Sequence, residues 1–250
     1  MVSSLNMEKA HLDLYVGIDV QIKRGCPYYI LNTDLCYVDS GWLQGANHDQ
    51  VCQQLAEHIS RLQTEPNIKI AVGIDAPRMG LDKPRAWYWR GGQWRRKTNL
   101  EKGFGRHCEV VIKALGIANP QWTQMKDTSP PWMELGYRLY QTLQGLEHVY
   151  EVFPSASYAM LAGQQHDPIG LSLAEFVHGP KDMLDACVGA YTVHAFHTGG
   201  GFEVGGGDGL GTIILPGKLP VTDTHPVLTW PKSLPSDLCV LHDSTSNHYK

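Results

Sequence analysis

Hydrophobic and polar positions along this chain alternate between short apolar runs, polar turns and stretches of helical spacing. "LDLYVGID" (12–19) reads as a strand. "CPYYILN" (26–32) and "CYVDSGWL" (36–43) read as two more, joined by a turn at Asn32-Thr33-Asp34. Their short links predict an antiparallel meander. In "HDQVCQQLAEHISRLQ" (48–63), Val51, Leu55, His58, Ile59 and Leu62 share one helical face, and Asn47 stands where an N-cap belongs. "IKIAVGID" (68–75) is a nearly continuous apolar run, the pattern of a strand buried on both faces. A helical crossover sets this fourth strand parallel to its partner. If that partner is strand one, Asp19 and Asp75 leave the sheet side by side, and the repeated "VGID" acquires a geometric meaning.

Beyond this point the pattern loosens. Residues 76–104, with Pro77, Pro84 and Gly91-Gly92, read as loop. "GRHCEVVIKALG" (105–116) reads as a helix ending at Gly116, and "PWMELGYRLYQTLQG" (131–145) as another, with Pro131 in its first turn. "EHVYEVF" (147–153) is a fifth strand. "PKDMLDACVGAYTVHAF" (180–196) predicts an amphipathic helix with Met183, Leu184, Cys187, Val188 and Tyr191 facing inward. "FEVGGGDGLGTIILP" (202–216) has two β-rich arms around a glycine turn and predicts a hairpin. The expectation is one α/β domain over residues 10–216, with 217–250 as an extended C-terminal tail laid over it or partly disordered.

Composition narrows the class without fixing it. At 42% hydrophobic, 250 residues can build an ordinary core. A net charge of −4 argues against a uniformly basic nucleic-acid binder but leaves room for a local basic patch. Cysteines at 26, 36, 52, 108, 187 and 239 contain no Cys-x-x-Cys pair, so reduced, buried thiols are expected rather than zinc or a disulfide framework. No signal peptide or membrane span is legible, and a cytoplasmic protein without membrane contact is expected.

The candidate chemistry lies in the acids. Asp19 and Asp75 end strands, Glu151 lies in the fifth, and Asp182 and Asp185 are i and i+3 on one helical face. Two carboxylates within about 4 Å repel by on the order of 4 kcal/mol at an effective dielectric of 20. Protonation or a divalent cation relieves that repulsion. Magnesium or manganese prefers oxygen ligands, and a pair of such ions can activate a water and stabilise the leaving oxygen of a phosphodiester. Each acid alone also has a plain reading: strand-end aspartates cap turns, and helix-start aspartates satisfy N–H groups. As an ordered set they read as a metal site.

Charge is segregated along the chain. Residues 83–113 hold nine Lys and Arg against Glu101 and Glu109, a net +7, which leaves −11 for the remainder. Trp87, Tyr88, Trp89 and Trp94 are interleaved with this run, a combination found in nucleic-acid grooves, although a solvated loop with locally packed aromatics has the same composition. Arg95, Arg96 and Lys97 are candidate phosphate contacts. "GGGDGLG" does not make Gly-x-Gly-x-x-Gly and precedes a strand-like run, so it reads as a turn. His178, His194 and His197 lack a completing ligand set for zinc and read as ordinary histidines. No Gly-x-Ser-x-Gly elbow is present.

"GIDV", "GIDAP", "YEVFP" and "KDMLDACVGAYT", in this order, resemble a family of predicted ribonuclease H-like nucleases grouped as domain of unknown function 429. "GRHCEVVIKALG" and "GGGDGLGTIILP" are similar to its middle and C-terminal motifs, and the resemblance covers roughly residues 14–216. It implies a ribonuclease H-like fold: a mixed five-stranded sheet in order 3-2-1-4-5 with strand 2 antiparallel, flanked by helices. It also implies acidic positions at Asp19, Asp75, Glu151 and Asp185, with Asp182 alongside, and makes Arg106 and Lys113 phosphate contacts. Cys26-Pro27 departs from the Gly-Trp that often follows the family's first strand, which affects the first hairpin and not the acids. The expected activity is Mg²⁺- or Mn²⁺-dependent phosphodiester hydrolysis on nucleic acid. The alternatives are a phosphotransferase or ATPase of the actin and sugar-kinase type, and a catalytically silent module that binds nucleic acid or protein.

Overall fold

The structure, a computed structural model, describes residues 12–63, 68–162 and 181–231. Strands β1 (Leu14–Asp19), β2 (Cys26–Asn32) and β3 (Tyr37–Leu43) form the expected antiparallel meander. Helix α1 (His48–Leu62) follows; the Asn47 side chain caps it by accepting from the Gln50 N–H. The chain then returns as β4 (Ile70–Asp75), parallel to β1 and in register, with Gly17 opposite Gly73 and Asp19 opposite Asp75.

Between residues 76 and 104 the structure differs from the loop expected. Trp87–Arg90 (β5) and Gln93–Arg96 (β6) pair as a hairpin around Gly91 and Gly92, both at positive φ (60° and 77°). Two consecutive left-handed residues are what a tight two-residue hairpin turn requires, so the glycine pair that looked like a breaker is the turn of a hairpin. Helices α2 (His107–Ala114) and α3 (Pro131–Thr142) precede β7 (His148–Glu151), which pairs parallel to β4. The result is an α/β fold with a mixed five-stranded sheet, order β3-β2-β1-β4-β7, with β2 antiparallel to both neighbours. An unpredicted helix, α4 (Pro154–Leu161), follows; then α5 (Lys181–His197) and the hairpin β8 (Phe202–Gly205)–β9 (Thr212–Leu215) complete the order.

Strand periodicity decides what each face of the sheet meets. Val16, Ile18, Val72 and Ile74 pack into the core with α1 and α3 residues such as Leu55, Ile59, Leu135 and Leu139. Tyr15, Gly17, Ala71 and Gly73 alternate with them and face α5. Asp19 and Asp75 share the parity of Gly17 and Gly73, so they emerge on the α5 side.

Helix α5 is not the two-faced helix expected. Asp182 and residues 185–193 are all buried, whereas Met183 and Leu184 are partly exposed. The sheet covers one side of the helix and α4 and β9 cover others. A helix buried nearly all round carries no polar stripe. The described part of the tail, residues 217–231, lies on α2 and β6: Val227 is fully buried and Trp94 Nε1 donates to Pro226 O at 3.0 Å. The rest of the expected tail and His178 lie outside the described residues. Cys26, Cys108 and Cys187 are buried as expected, whereas Cys36, just before β3, is exposed and Cys52, on α1, is half-buried. No helix among the described residues is long and apolar enough to cross a membrane.

Candidate functional site

A cavity of about 480 Å³ opens where β1, β4 and β7 end, and Asp19, Asp75, Glu151 and Asp185 all line it, together with Lys181, Arg106 and Glu109. Four of the five expected acids therefore meet in one place. The reason is local on β1 and β4, where identical "VGID" segments run in register, and tertiary for the other two, which arrive on β7 and α5.

The electrostatics of the cluster are those of crowded carboxylates. Asp19 is 5% exposed, and burial, with Asp185 and Asp182 nearby, pushes its pKa up to about 6 against a hydrogen bond from Gln21 Nε2 at 2.9 Å. Asp75 keeps partial solvent contact through the cavity, yet desolvation and then the charges of Asp19, Asp185 and Glu151 raise it well above the ordinary carboxylate range. Lys181 is a nearby cation that lowers both. Its Nζ lies 2.6 Å from Asp185 Oδ2, while Tyr158 donates to Asp185 Oδ1 at 2.9 Å.

Glu151 is held differently. Arg106 Nη1 and Nη2 meet its two carboxylate oxygens at 2.8 and 2.5 Å, a bidentate pair, and the backbone N–H of Arg78 adds a third bond at 3.1 Å. The same guanidinium binds Glu109 through Nε and Nη2 at 2.9 and 2.8 Å. Glu109 in turn accepts from the Thr123 hydroxyl and from the Thr123 N–H at 2.9 Å. Arg106 is 1% exposed. Expected on a phosphate, it instead joins α2 to the end of β7 from within the protein. Burial raises the Glu151 pKa, with Arg106 opposing, as suits two carboxylates sharing one cation.

The remaining expected residues lie apart. Asp182 does not line the cavity and pairs with Arg24 Nη2 at 2.7 Å. Arg95 is paired with Glu101, Arg96 stacks on Trp87 at 4.5 Å, and Lys97 Nζ donates to Thr98 O. None of these three borders the acidic cavity. Lys113, bonded to Asn119, lines a second cavity further along α2.

The donor set suits a hard divalent cation in chemistry, being carboxylate oxygens with too little positive charge beside them. The side chains are not gathered around one point: among the described residues no three His, Cys, Asp or Glu form a preassembled metal-binding group. Asp185 is drawn to Lys181 and Tyr158, and Glu151 to Arg106.

Sequence reasoning missed Arg106 as the partner of Glu151, Lys181 and Tyr158 on Asp185, and the part played by glycine. A Cβ at Gly73 would lie 2.6 Å from Val193 Cγ2 and 2.8 Å from Val152 Cγ1. The glycines of the two "VGID" segments thus let α5 approach, which brings Asp185 to the cavity, and their repetition was the available signal.

The "GGGDGLG" loop serves α2: Asp208 Oδ2 accepts from the His107 N–H at 2.7 Å, capping the helix, and Oδ1 accepts from Leu210 N–H at 3.1 Å. Comparisons with models of known protein families, with curated proteins and with solved structures return no match to this chain.

Proposed function

We propose that this chain is a ribonuclease H-like, divalent-metal-dependent phosphodiesterase that acts on nucleic acid, as its resemblance to the family grouped as domain of unknown function 429 implies. The observation that carries the reading is the register of Asp19 against Asp75 on parallel strands, with Asp185 and Glu151 lining the same cavity. Asp19, Asp75 and Asp185 would hold Mg²⁺ or Mn²⁺. A bound ion of this kind lowers the pKa of water and stabilises charge on a phosphodiester's leaving oxygen. Arg106 fixes the Glu151 carboxylate at the cavity wall and prevents its rotation. Lys181, whose side chain is 72% exposed, can release Asp185 and meet a phosphate oxygen instead. Asp182, paired with Arg24, keeps that cation beside the cavity mouth.

The lack of a preassembled metal group among the described residues favours one second reading, a nucleic-acid-binding module without turnover. The test is incubation of wild type and Asp19→Asn with labelled single-stranded, duplex, hybrid and branched nucleic acids in Mg²⁺ or Mn²⁺. Chelator-sensitive cleavage by wild type alone is expected, with both proteins folded. Equal activity in the variant would overturn the assignment, and binding without product would establish the second reading.

A further inference from the structure

The second cavity, about 350 Å³, lies further along α2 from the acids. Its walls are Trp89, Tyr88, Trp122 and Phe104, and its charged groups are Arg85, Lys102 and Lys113; among the described residues no acidic side chain lines it. Glu101 and Glu109, the acids of this stretch, are committed to Arg95 and Arg106. Arg85 is held with its guanidinium over the Tyr88 ring at 4.2 Å and the Trp122 ring at 4.7 Å. Its Nε and Nη1 are buried and make no hydrogen bond. A charged donor left unpaired in a buried setting is costly, and an acceptor supplied by a ligand would relieve it. Lys102 and Lys113 are exposed at the rim.

From this arrangement we infer that the cavity is a subsite for an unpaired nucleotide of a single nucleic-acid strand, with the base against Trp89 and Trp122 and the flanking phosphates on Lys102 and Lys113. Aromatic walls accept any base face, and clustered cations follow the backbone. The subsite adjoins the acids: Arg106 and Glu109 line the acidic cavity, while Val110 and Lys113 line this one. Pro120 and Gln121 border the first and Trp122 the second. From Arg106 to Lys113 the chain rises about 10 Å along the helix, a distance of only a few nucleotides along a strand. A strand seated here would therefore pass the acidic cavity within a few nucleotides. The inference rests on the reading of the chain as a nucleic-acid enzyme, and it narrows the substrate to one with a single-stranded segment.

Binding is measured in EDTA, where cleavage is silent, by anisotropy of labelled oligo-dA and oligo-rA of about twelve nucleotides, the matched duplex and free AMP. The proteins are wild type, Lys102→Ala/Lys113→Ala and Trp122→Phe. Wild type should bind single strands with quenching of tryptophan fluorescence, and the duplex more weakly. The double lysine variant should bind more weakly, most clearly at low salt, and show a log K against log salt slope shallower by about 1.4, two contacts at about 0.7 each. Trp122→Phe should keep the affinity within about fivefold and lose part of the quenching. Unchanged affinity and slope in the lysine variant, or equal duplex binding, would overturn the inference, and saturation by AMP with no gain from a strand would reassign the cavity to free nucleotides. Because binding is read in EDTA and cleavage in Mg²⁺ or Mn²⁺, loss of the catalytic reading would leave this result standing, and the converse also holds.

Discussion

A Cβ built on Gly17 would lie 1.9 Å from the carbonyl oxygen of Ala186 and 2.4 Å from the N of Ala190. Strand β1 and helix α5 therefore touch backbone to backbone, and the contact sits two residues before Asp19 and one residue after Asp185. Backbone on both sides leaves nothing flexible to move aside. The position of α5, and with it the distance from Asp185 to the other acids, is set by the missing side chain.

Gly17→Ala should consequently force α5 off the sheet. Overpacking of this kind costs typically about 1–3 kcal/mol, occasionally more, and an obstruction by backbone belongs at the upper end. Urea unfolding should show the loss, and any cleavage should fall further than the loss of folded protein explains. Stability within about 0.5 kcal/mol of wild type, as for an ordinary surface change, would show that the helix is not held by this contact.

Asp19 makes the fold pH-sensitive in a direction opposite to a salt-bridged carboxylate. Its pKa near 6 in the fold exceeds the ordinary 3.8. The folded state then binds more protons than the unfolded state between those values, so its contribution is fully present below about pH 3.8 and is lost as pH rises through 6. The two-unit difference corresponds to about 3 kcal/mol at neutral pH. In chelator at pH 7.5, on the alkaline side of that window, Asp19→Asn should melt higher than wild type.

The same displacement predicts how metal acts. Mg²⁺ or Mn²⁺ at about 100 times its dissociation constant should stabilise wild type by about 2.7 kcal/mol where Asp19 and Asp75 are ionised, and progressively less as they protonate. Differential scanning fluorimetry over a pH series reads both terms. Equal stabilisation of Asp19→Asn would place the ion elsewhere.

Arg106 is the counter-ion of two buried carboxylates, so removing it leaves Glu109 and Glu151 facing each other. Arg106→Met should cost about 3–5 kcal/mol, the range for breaking a buried pair from one side. Adding Glu151→Gln should recover part of the loss. Arg106→Lys should not substitute, because one ammonium cannot span both carboxylates. Chemical denaturation of the three variants checks the order.

His107 gives the opposite pH signature. Nδ1 accepts from Gly207 N–H at 3.2 Å and Nε2 faces Val227 O at 2.9 Å, which fixes a neutral ring protonated on Nε2. Burial lowers its pKa below 6.5. Its contribution is present above pH 6.5 and is lost as pH falls below it, when a second ring proton breaks the Gly207 bond. Subtracting a His107→Gln series from wild type isolates the slope, and a flat difference between pH 5 and 7, the range in which a histidine changes charge, would show that the ring is not held neutral by the fold.

The sequence by itself determined the strands of the central sheet and that two of them end in an aspartate. Alternation in β1 to β3, the helical spacing of α1 and the doubled "VGID" are local patterns, and they imply the meander and a parallel return. The full strand order was implied by the family resemblance, and the pairing of β4 with β1, which sets Asp19 beside Asp75, was decided by the tertiary structure. The β5–β6 hairpin was also legible, since "WYWRGGQWRR" carries a tight-turn signature that reading glycine only as a breaker obscured. Tertiary structure alone also decided which charges pair. Arg106 and Glu151 are 45 residues apart, and nothing in either local pattern marks them as partners or separates Arg106 from the exposed cations beside it. Burial of α5 on nearly every side is likewise a property of its neighbours, not of its own periodicity. A side chain's partner depends on which elements close over it, and that is settled only when the whole chain packs.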